Sequence, residues 1–98
     1  MPTEPWLQCL DDDDRQFLKR FVLASGSLKE LAEGYGVSYP TLRARLDRLI
    51  EKVKVAEDER IVDPFERKLR LMVSDGKVAA PTARELLAAH RTQLKERK

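Results

Sequence analysis

Two short helical segments, separated by a glycine turn, constrain this chain more than any other feature of its sequence. The first begins at Ser27, which can cap a helix, and Glu30 three residues later completes the pattern of a reciprocal capping box. The second begins at Ser38, with Pro40 in the first turn, where a missing amide hydrogen costs nothing. Gly36 stands between them and permits the positive φ that a tight turn needs. This arrangement predicts a helix-turn-helix.

Small and apolar residues inside this motif match the packing that it needs. Ala32 is expected where the two helices cross, since a larger side chain would hold them apart. Val37 is expected to pack under the turn, and Leu42 and Leu46 to anchor the second helix on the first. A plain helical hairpin in a bundle is the alternative for this segment.

Apolar residues recur at helical rather than alternating spacing along the rest of the chain, which predicts an all-α fold. We expect a lead helix over about 12–24, a short second helix over about 28–34 and a third helix over 39–53. Two further helices are expected to begin at Pro64 and Pro81, because proline is favoured in the first helical turn.

These elements divide the chain into two units. We expect a three-helix helix-turn-helix DNA-binding domain over 1–55, a linker over 56–63 and a helical hairpin over 64–98. In the hairpin, Leu86 is expected to face inward and the tail to fray from His90 onward. A hairpin of this size cannot bury both of its apolar stripes internally. It must pack on the first domain or on another chain, and self-association as a homodimer would suit a DNA-binding protein, because dimers bind half-sites about 34 Å apart.

Composition excludes several classes of protein. Charged residues make up 37% of the 98 residues, above the roughly 25% of ordinary globular domains, which suits thin helical layers with solvated outer faces. The single cysteine, Cys9, excludes an intrachain disulfide and a cysteine-built zinc site. No apolar run approaches the ~20 residues of a membrane span, and the N-terminus lacks the features of a signal peptide. We therefore expect a cytoplasmic protein with no membrane partner.

The basic excess of the chain is concentrated in one segment, although the net charge is only +2. Between Ser38 and Val55, two acidic side chains (Asp47 and Glu51) accompany five basic ones. A local excess of this kind is typical of a nucleic-acid footprint. The five basic residues are Arg43, Arg45, Arg48, Lys52 and Lys54.

If the motif binds double-stranded DNA, the helix over 39–53 lies in the major groove with its first residues towards the base edges. Arg43 is then the candidate for a bidentate contact with guanine. The expected phosphate contacts come from Ser38, Tyr39 and Thr41, extended by Arg45, Arg48 and Lys52. The full candidate set is Ser38, Tyr39, Pro40, Thr41, Arg43, Ala44, Arg45, Asp47, Arg48 and Lys52.

Two alternatives remain open for this helix. The arginines can belong to a solvated face supported by pairs such as Arg43 with Asp47. Tyr39 can be a partly buried residue of the turn. Arg45 stands where many helix-turn-helix motifs place an apolar residue.

Residues 26–50, with the sequence GSLKELAEGYGVSYPTLRARLDRLI, resemble the bacterial family known as domain of unknown function 2089. Its pattern is a Gly-x-Leu-Lys-Glu opening followed by Ser-Tyr-Pro-Thr-x-Arg, and the likeness covers about residues 6–53. The resemblance implies a sigma-factor-like helix-turn-helix and a transcriptional regulator. The zinc ribbon of some members has no counterpart here, because paired cysteines are absent. The matching residues are Gly26, Leu28, Lys29, Glu30, Ser38, Tyr39, Pro40, Thr41 and Arg43.

Residues 65–90 resemble the short C-terminal (SHOCT-like) helical domains in which a Gly-Lys-small-apolar turn links two helices. Gly76, Lys77 and Val78 carry this likeness, while Ala79 stands where a capping hydroxyl is usual. The resemblance implies oligomerisation or protein contact.

Other functional classes compete with DNA binding. An adaptor for a sigma factor or for polymerase, with a helix-turn-helix that does not bind DNA, is the alternative favoured by the modest net charge. We expect no enzyme activity and no cofactor, since His90 is expected to be an exposed side chain near a helix end and Cys9 has no histidine nearby in sequence. The four carboxylates at 11–14 are interpreted as helix caps rather than as a metal site.

Overall fold

The computed structural model describes residues 4–97, and within them every regular element is an α-helix. The all-α fold expected from the sequence is therefore confirmed. A short helix at the N-terminus, α1, is additional to the five expected. The helices are α1 Pro5–Gln8, α2 Asp12–Leu23, α3 Leu28–Tyr35, α4 Tyr39–Glu57, α5 Pro64–Ser74 and α6 Ala80–Glu96.

The acidic run at the start of α2 caps the helix, as the sequence predicts. Asp11 Oδ1 accepts a hydrogen bond from the backbone N of Asp14 at 2.8 Å, and the Asp14 carboxylate accepts one from the backbone N of Asp11 at 3.2 Å. The hydrogen bond from the Asp14 backbone is the main reason why the pKa of Asp11 lies below its usual value. These carboxylates also face the positive end of the helix dipole.

Ser27 caps α3, but through only half of the expected capping box. Its side chain accepts a hydrogen bond from the backbone N of Glu30 at 3.2 Å. The backbone N of Ser27 donates to the carbonyl of Ala24 at 3.0 Å, so it does not need the Glu30 carboxylate as an acceptor. The prediction of a reciprocal hydrogen bond from the backbone of Ser27 to the Glu30 side chain is therefore wrong.

A left-handed glycine forms the turn between α3 and α4. Gly36 has φ +67°, and the backbone N of Val37 donates to the carbonyl of Ala32 at 3.1 Å, which closes the end of α3. Val37 itself is 40% exposed and does not pack under the turn as expected. The space between the two helices is filled instead by Ala32 and by Leu42, which is 1% exposed.

The core of the helix-turn-helix lies between α2, α3 and α4. Phe17 of α2 and Leu42 of α4 are almost fully buried in it, and Ala32 of α3 is buried beside them. The additional helix α1 packs against α4 and brings Trp6 and Leu7 onto the same cluster. Burial of each large apolar side chain contributes about 1.5–3 kcal/mol.

α4 ends later than the sequence suggested, and Arg67 of α5 explains why. The helix continues to Glu57, four residues beyond the expected end at Val53. The Arg67 guanidinium lies at its C-terminus, where unpaired carbonyls and the negative end of the helix dipole favour a cation. It donates to four backbone carbonyls, those of Val55, Ala56, Asp58 and Ile61. The segment expected to be a linker is therefore partly helical. It also packs against the rest of the protein, because Ile61 is buried.

α6 is longer and better anchored than expected. It continues to Glu96, so the fraying predicted from His90 onward is wrong. His90 Nε2 lies 2.8 Å from Asp63 Oδ2, and the His90 ring contacts the ring of Phe65 with their centroids 4.3 Å apart. These contacts hold the middle of α6 on the start of α5, and His90 is partly buried rather than exposed.

The start and one face of α6 also differ in detail from the prediction. The helix begins at Ala80, one residue before Pro81, and no side chain caps it, in keeping with the missing hydroxyl at Ala79. Leu86 is 45% exposed and does not face inward as expected. The residues that face α5 are Ala83, Leu87 and His90, which lie three or four residues apart.

The hairpin of α5 and α6 is attached to the helix-turn-helix through α4, because α5 packs against both α4 and α6. The molecule measures 55 × 34 × 19 Å, and its radius of gyration is 16.4 Å, against about 13 Å for a compact chain of 100 residues. The fold is thus a thin, elongated plate. Within residues 4–97, no helix combines the length and apolar character needed to cross a bilayer.

Arg67→Ala is expected to lower the free energy of unfolding by about 2–4 kcal/mol, because it leaves carbonyls at the end of α4 without their charged donor. Arg70→Ala is the matched control on the same helix. Arg70 is half exposed and, among residues 4–97, forms an ion pair with Glu66 alone, so its loss is expected to cost less than about 1 kcal/mol. Urea unfolding followed by circular dichroism measures both, and equal losses would contradict the role given to Arg67.

Candidate nucleic-acid interface

α4 turns one face to the core and the opposite face to solvent. Leu42, Leu49 and Ala56 are buried, and the contacts from α5 fall on the second half of the helix. On the first half of the helix, the face opposite the core is exposed to solvent. Eight of the ten candidate residues are exposed, namely Ser38, Tyr39, Pro40, Thr41, Arg43, Ala44, Asp47 and Arg48.

The first turn of α4 presents hydroxyl groups at the surface. Tyr39 is 53% exposed, so the alternative of a partly buried turn residue is wrong. Ser38 Oγ caps the helix by accepting a hydrogen bond from the backbone N of Thr41 at 3.3 Å, and it donates to Thr41 Oγ1 at 2.9 Å. The Ser38 proton is therefore in use, whereas the hydroxyl proton of Thr41 can be donated outside the protein.

Arg43 and Asp47 form an ion pair on the exposed face, one turn apart. Arg43 Nε lies 3.2 Å from Asp47 Oδ1, and the two side chains are 50% and 57% exposed. This pair was the sequence-based alternative to a DNA contact, and it is present. It engages only the Nε side of the guanidinium, so the two Nη groups remain open to solvent. Arg48, by contrast, makes no hydrogen bond or ion pair with any residue in 4–97.

Arg45 was expected to contact phosphate, but its side chain lies over the core instead of extending into solvent. Its guanidinium lies 5.0 Å from the ring centroid of Phe17 and 5.6 Å from that of Tyr35, and its Nη2 donates to the carbonyl of Asp13 at 3.2 Å. The faces of aromatic rings attract cations. Arg45 thus takes the place of an apolar residue at the contact between α2, α3 and α4.

The prediction that Lys52 contacts phosphate is wrong, because its side chain is only 2% exposed. Its ammonium pairs with the carboxylate of Asp14 at the start of α2 and with Asp75 Oδ1, 2.8 Å away, after the end of α5. Burial by itself would lower the pKa of Lys52, but the hydrogen bonds to Asp14 and Asp75 outweigh it and raise the pKa above the usual 10.5. Lys52 is therefore a charged residue of the interior.

The carboxylates around Lys52 also define what this region can bind. Oxygens of Asp11, Asp14 and Asp75 lie within 4.8 Å of one another, which is the kind of ligand set that a hard cation takes. At Asp14 and Asp75, however, the Lys52 ammonium already provides the positive charge that a bound cation would supply. Arg48 lies beside these carboxylates, so that side of α4 carries charges of both signs.

Comparison with known proteins finds one family. Residues 10–56 match the family described as Domain of unknown function (DUF2089)-HTH. These residues belong to that family. No curated protein and no solved structure matches the chain.

The DUF2089 segment coincides with a structural unit. It begins and ends at residues that are buried in the structure, Leu10 and Ala56, and it contains α2, α3 and nearly all of α4. It excludes α1 and the hairpin of α5 and α6. The resemblance of that hairpin to short C-terminal domains therefore stays a prediction.

Three residues that organise this surface were missed or misassigned from the sequence. Arg67 and Asp75 act on α4 from another helix and from the turn after it, and nothing in their local sequence indicates this. Lys52 does carry a signal. It continues the buried stripe of α4, which runs through Leu42, Arg45, Leu49, Lys52 and Ala56 at spacings of three and four residues.

Lys52→Met is expected to lower the free energy of unfolding by about 3–5 kcal/mol at neutral pH, because two carboxylates then face each other without their cation. Lys54→Met is the matched control. Lys54 is 70% exposed two residues further along the same helix, and its replacement is expected to cost less than about 0.5 kcal/mol. Chemical unfolding of the natural protein and the two variants measures the difference. A small loss of unfolding free energy in Lys52→Met would contradict the structural role given to Lys52.

The stabilisation from Lys52 is expected to disappear at alkaline pH. Because the pKa of Lys52 is raised in the folded protein, its contribution is complete below about pH 10.5 and falls as the pH rises through the folded pKa. The quantity to measure is the difference in unfolding free energy between the natural protein and Lys52→Met as a function of pH. A difference that instead grows above pH 10.5 would contradict the direction of the shift.

Proposed function

We propose that this chain is a sequence-specific DNA-binding protein that regulates transcription, with the first half of α4 in the major groove of double-stranded DNA. The observation that carries the proposal is the exposure of eight candidate residues on the outer face of α4, in a helix-turn-helix domain of the DUF2089 family. In helix-turn-helix proteins the second helix of the motif contacts the base edges.

Arg43 is the residue that we assign to base recognition. With Nε held by Asp47, its two Nη groups are directed outward as a fork that matches guanine O6 and N7. Asp47 then has two roles, because its carboxylate positions Arg43 and also accepts a hydrogen bond from the N4 amino group of a cytosine nearby. The pair therefore favours sites that contain G·C base pairs.

Thr41 and Arg48 are assigned to the phosphate backbone. Thr41 has a free hydroxyl proton at the N-terminus of α4, where the helix dipole also favours an anion. Arg48 is exposed and unpaired within residues 4–97, one turn beyond Ala44. Contacts of this kind fix the register of the protein on DNA without selecting a sequence.

The proposal extends to the setting of the protein. Transcriptional regulation places it in the cytoplasm and makes a homodimer useful, since two copies can occupy half-sites about 34 Å apart. It assigns no catalytic role. The thiol of Cys9 donates to the carbonyl of Trp6 at 2.9 Å, and burial raises its pKa, while His90 is engaged with Asp63.

Selection from a random duplex library, followed by affinity measurements across a salt series, tests this function. Arg43→Ala is expected to relax the preference at one base pair, worth about 1–3 kcal/mol. Arg48→Ala is expected to weaken binding to all DNA sequences alike and to reduce the salt dependence of the affinity by about one phosphate contact. Arg60→Ala is the control, because Arg60 is 91% exposed in the segment between α4 and α5 and loses the same charge.

Two results would count against DNA binding through α4. One is an affinity that does not change with salt concentration. The other is equal loss of binding in Arg60→Ala and in Arg43→Ala, which would indicate a general charge effect.

The adaptor function is the second candidate, and the acidic edge beside α4 favours it. Asp11 and Asp13 line the same surface depression as Arg48, so acidic and basic side chains lie side by side there. A sigma factor or a polymerase subunit could bind this mixed surface. Purification of such a subunit with the protein, in the absence of nucleic acid and in an Arg48-dependent manner, would favour this function.

A further inference from the structure

A groove lies beside the second half of α4, away from the residues assigned to DNA. It has a volume of about 330 Å³ and is bounded by α4, α5 and α6. We call it the α4–α5–α6 groove. Its apolar lining consists of Val55, Leu69, Val73, Ala80, Ala83 and Leu87. A layer of three helices with an open apolar face is incomplete, because each apolar stripe gains stability only when another element covers it.

The α4 and α6 sides of the groove carry opposite charges, while Glu66 and Arg70 on α5 form an ion pair with each other at 3.0 Å. Glu51 of α4 lines one side, and its closest cationic partner is Lys54 Nζ, 4.0 Å away. Arg84 of α6 lines the other side and forms no hydrogen bond or ion pair within residues 4–97. When the two-fold axis of a dimer runs parallel to the groove, each side meets the opposite side of the second molecule. Glu51 of one copy then meets Arg84 of the other, twice in each dimer.

The surface area of the chain also exceeds that of a finished monomer. Its accessible surface is 7330 Å², whereas a compact monomer of 11.3 kDa exposes about 5,700 Å². The excess of roughly 1,600 Å² is larger than the about 800 Å² that each partner contributes to a standard protein interface. The plate-like shape therefore leaves enough surface for a stable dimer.

We propose that the α4–α5–α6 groove is the surface through which two copies of this chain associate. The proposal deepens the proposed function, on which it rests for the use of the dimer, by naming the surface and the ion pairs that form it. Association covers the apolar lining, and the two pairs of Glu51 with Arg84 fix the relative orientation of the molecules.

The position of the groove suits a dimer that binds DNA. Val55 lies twelve residues after Arg43, a distance of about 18 Å along α4. Half-sites in successive major grooves are about 34 Å apart, so each recognition element stands about 17 Å from the two-fold axis. A contact at the second half of α4 therefore leaves its first half free at a suitable distance.

Charge reversal tests the interface without burying or removing apolar groups. The molar mass of the full chain is measured by sedimentation equilibrium over a wide range of concentrations, with a dimer expected for the natural protein. Arg84→Glu and Glu51→Arg are each expected to weaken the dimer by about tenfold or more, because like charges then face each other. The double variant restores the attraction and is expected to recover most of the affinity.

Val22→Glu is the control, since Val22 is 66% exposed on α2, at the surface next to a second apolar groove lined by Leu18, Phe21 and Ile50. A dimer that is lost in Val22→Glu but unaffected by Arg84→Glu would overturn the proposal and move the interface to that groove. A natural protein that stays monomeric would also overturn it and leave the α4–α5–α6 groove to a helix of another protein.

The same variants separate this proposal from DNA binding. Arg84→Glu is expected to keep its affinity for a single half-site and to lose only the tighter binding to a two-fold symmetric site. Arg43→Ala is expected to lose half-site binding while its molar mass stays unchanged. This result tests DNA binding by α4 separately from dimer formation. Failure of one proposal therefore leaves a different pattern of results from failure of the other.

Discussion

The buried ammonium of Lys52 determines how the two parts of the molecule are held together. It extends from the middle of α4 to Asp14 at the start of α2 and to Asp75 after the end of α5. A cation removed from water is tolerated only while its carboxylates remain in place, and the carboxylates depend equally on the cation. Arg67 joins α4 and α5 at a second point, near the C-terminus of α4. Two separate points of α4 therefore contact α5 and the turn that follows it.

The features that could be predicted from the sequence are those set by neighbouring residues. Asp11, Ser38 and Gly36 act within four residues of the backbone groups that they cap or bend, so a short stretch of sequence contains both partners. The order of the helices follows from the spacing of apolar residues, for the same reason. Eight of the ten candidate residues, Ser38 and seven on α4, are exposed, and helical periodicity separates them from Arg45 and Lys52 on the buried stripe.

The features that could not be predicted depend on partners far away in the chain. Arg45 and Lys52 were assigned to DNA because both are basic residues on a basic helix. Each lies instead on the buried stripe of α4, and what makes burial tolerable is an aromatic ring at Phe17 or a carboxylate at Asp75. The net charge of a segment says nothing about such pairing. The position of a charged residue on an apolar stripe is the better guide, since a lone buried charge is so costly that a partner must exist.

α4 combines the two proposed contacts in one helix, and this sets the geometry of the assembly. Its first half is open for DNA, while its second half packs on α5 and forms one side of the groove assigned to the second copy. The distance between these surfaces is fixed by the rise of the helix, because Arg67 extends α4 beyond the end that its sequence suggests. If α4 ended at Val53, Val55 would leave the helix and the groove would lose that side. In the proposed dimer, the spacing of half-sites on DNA would therefore depend on a guanidinium that contacts neither the DNA nor the second molecule.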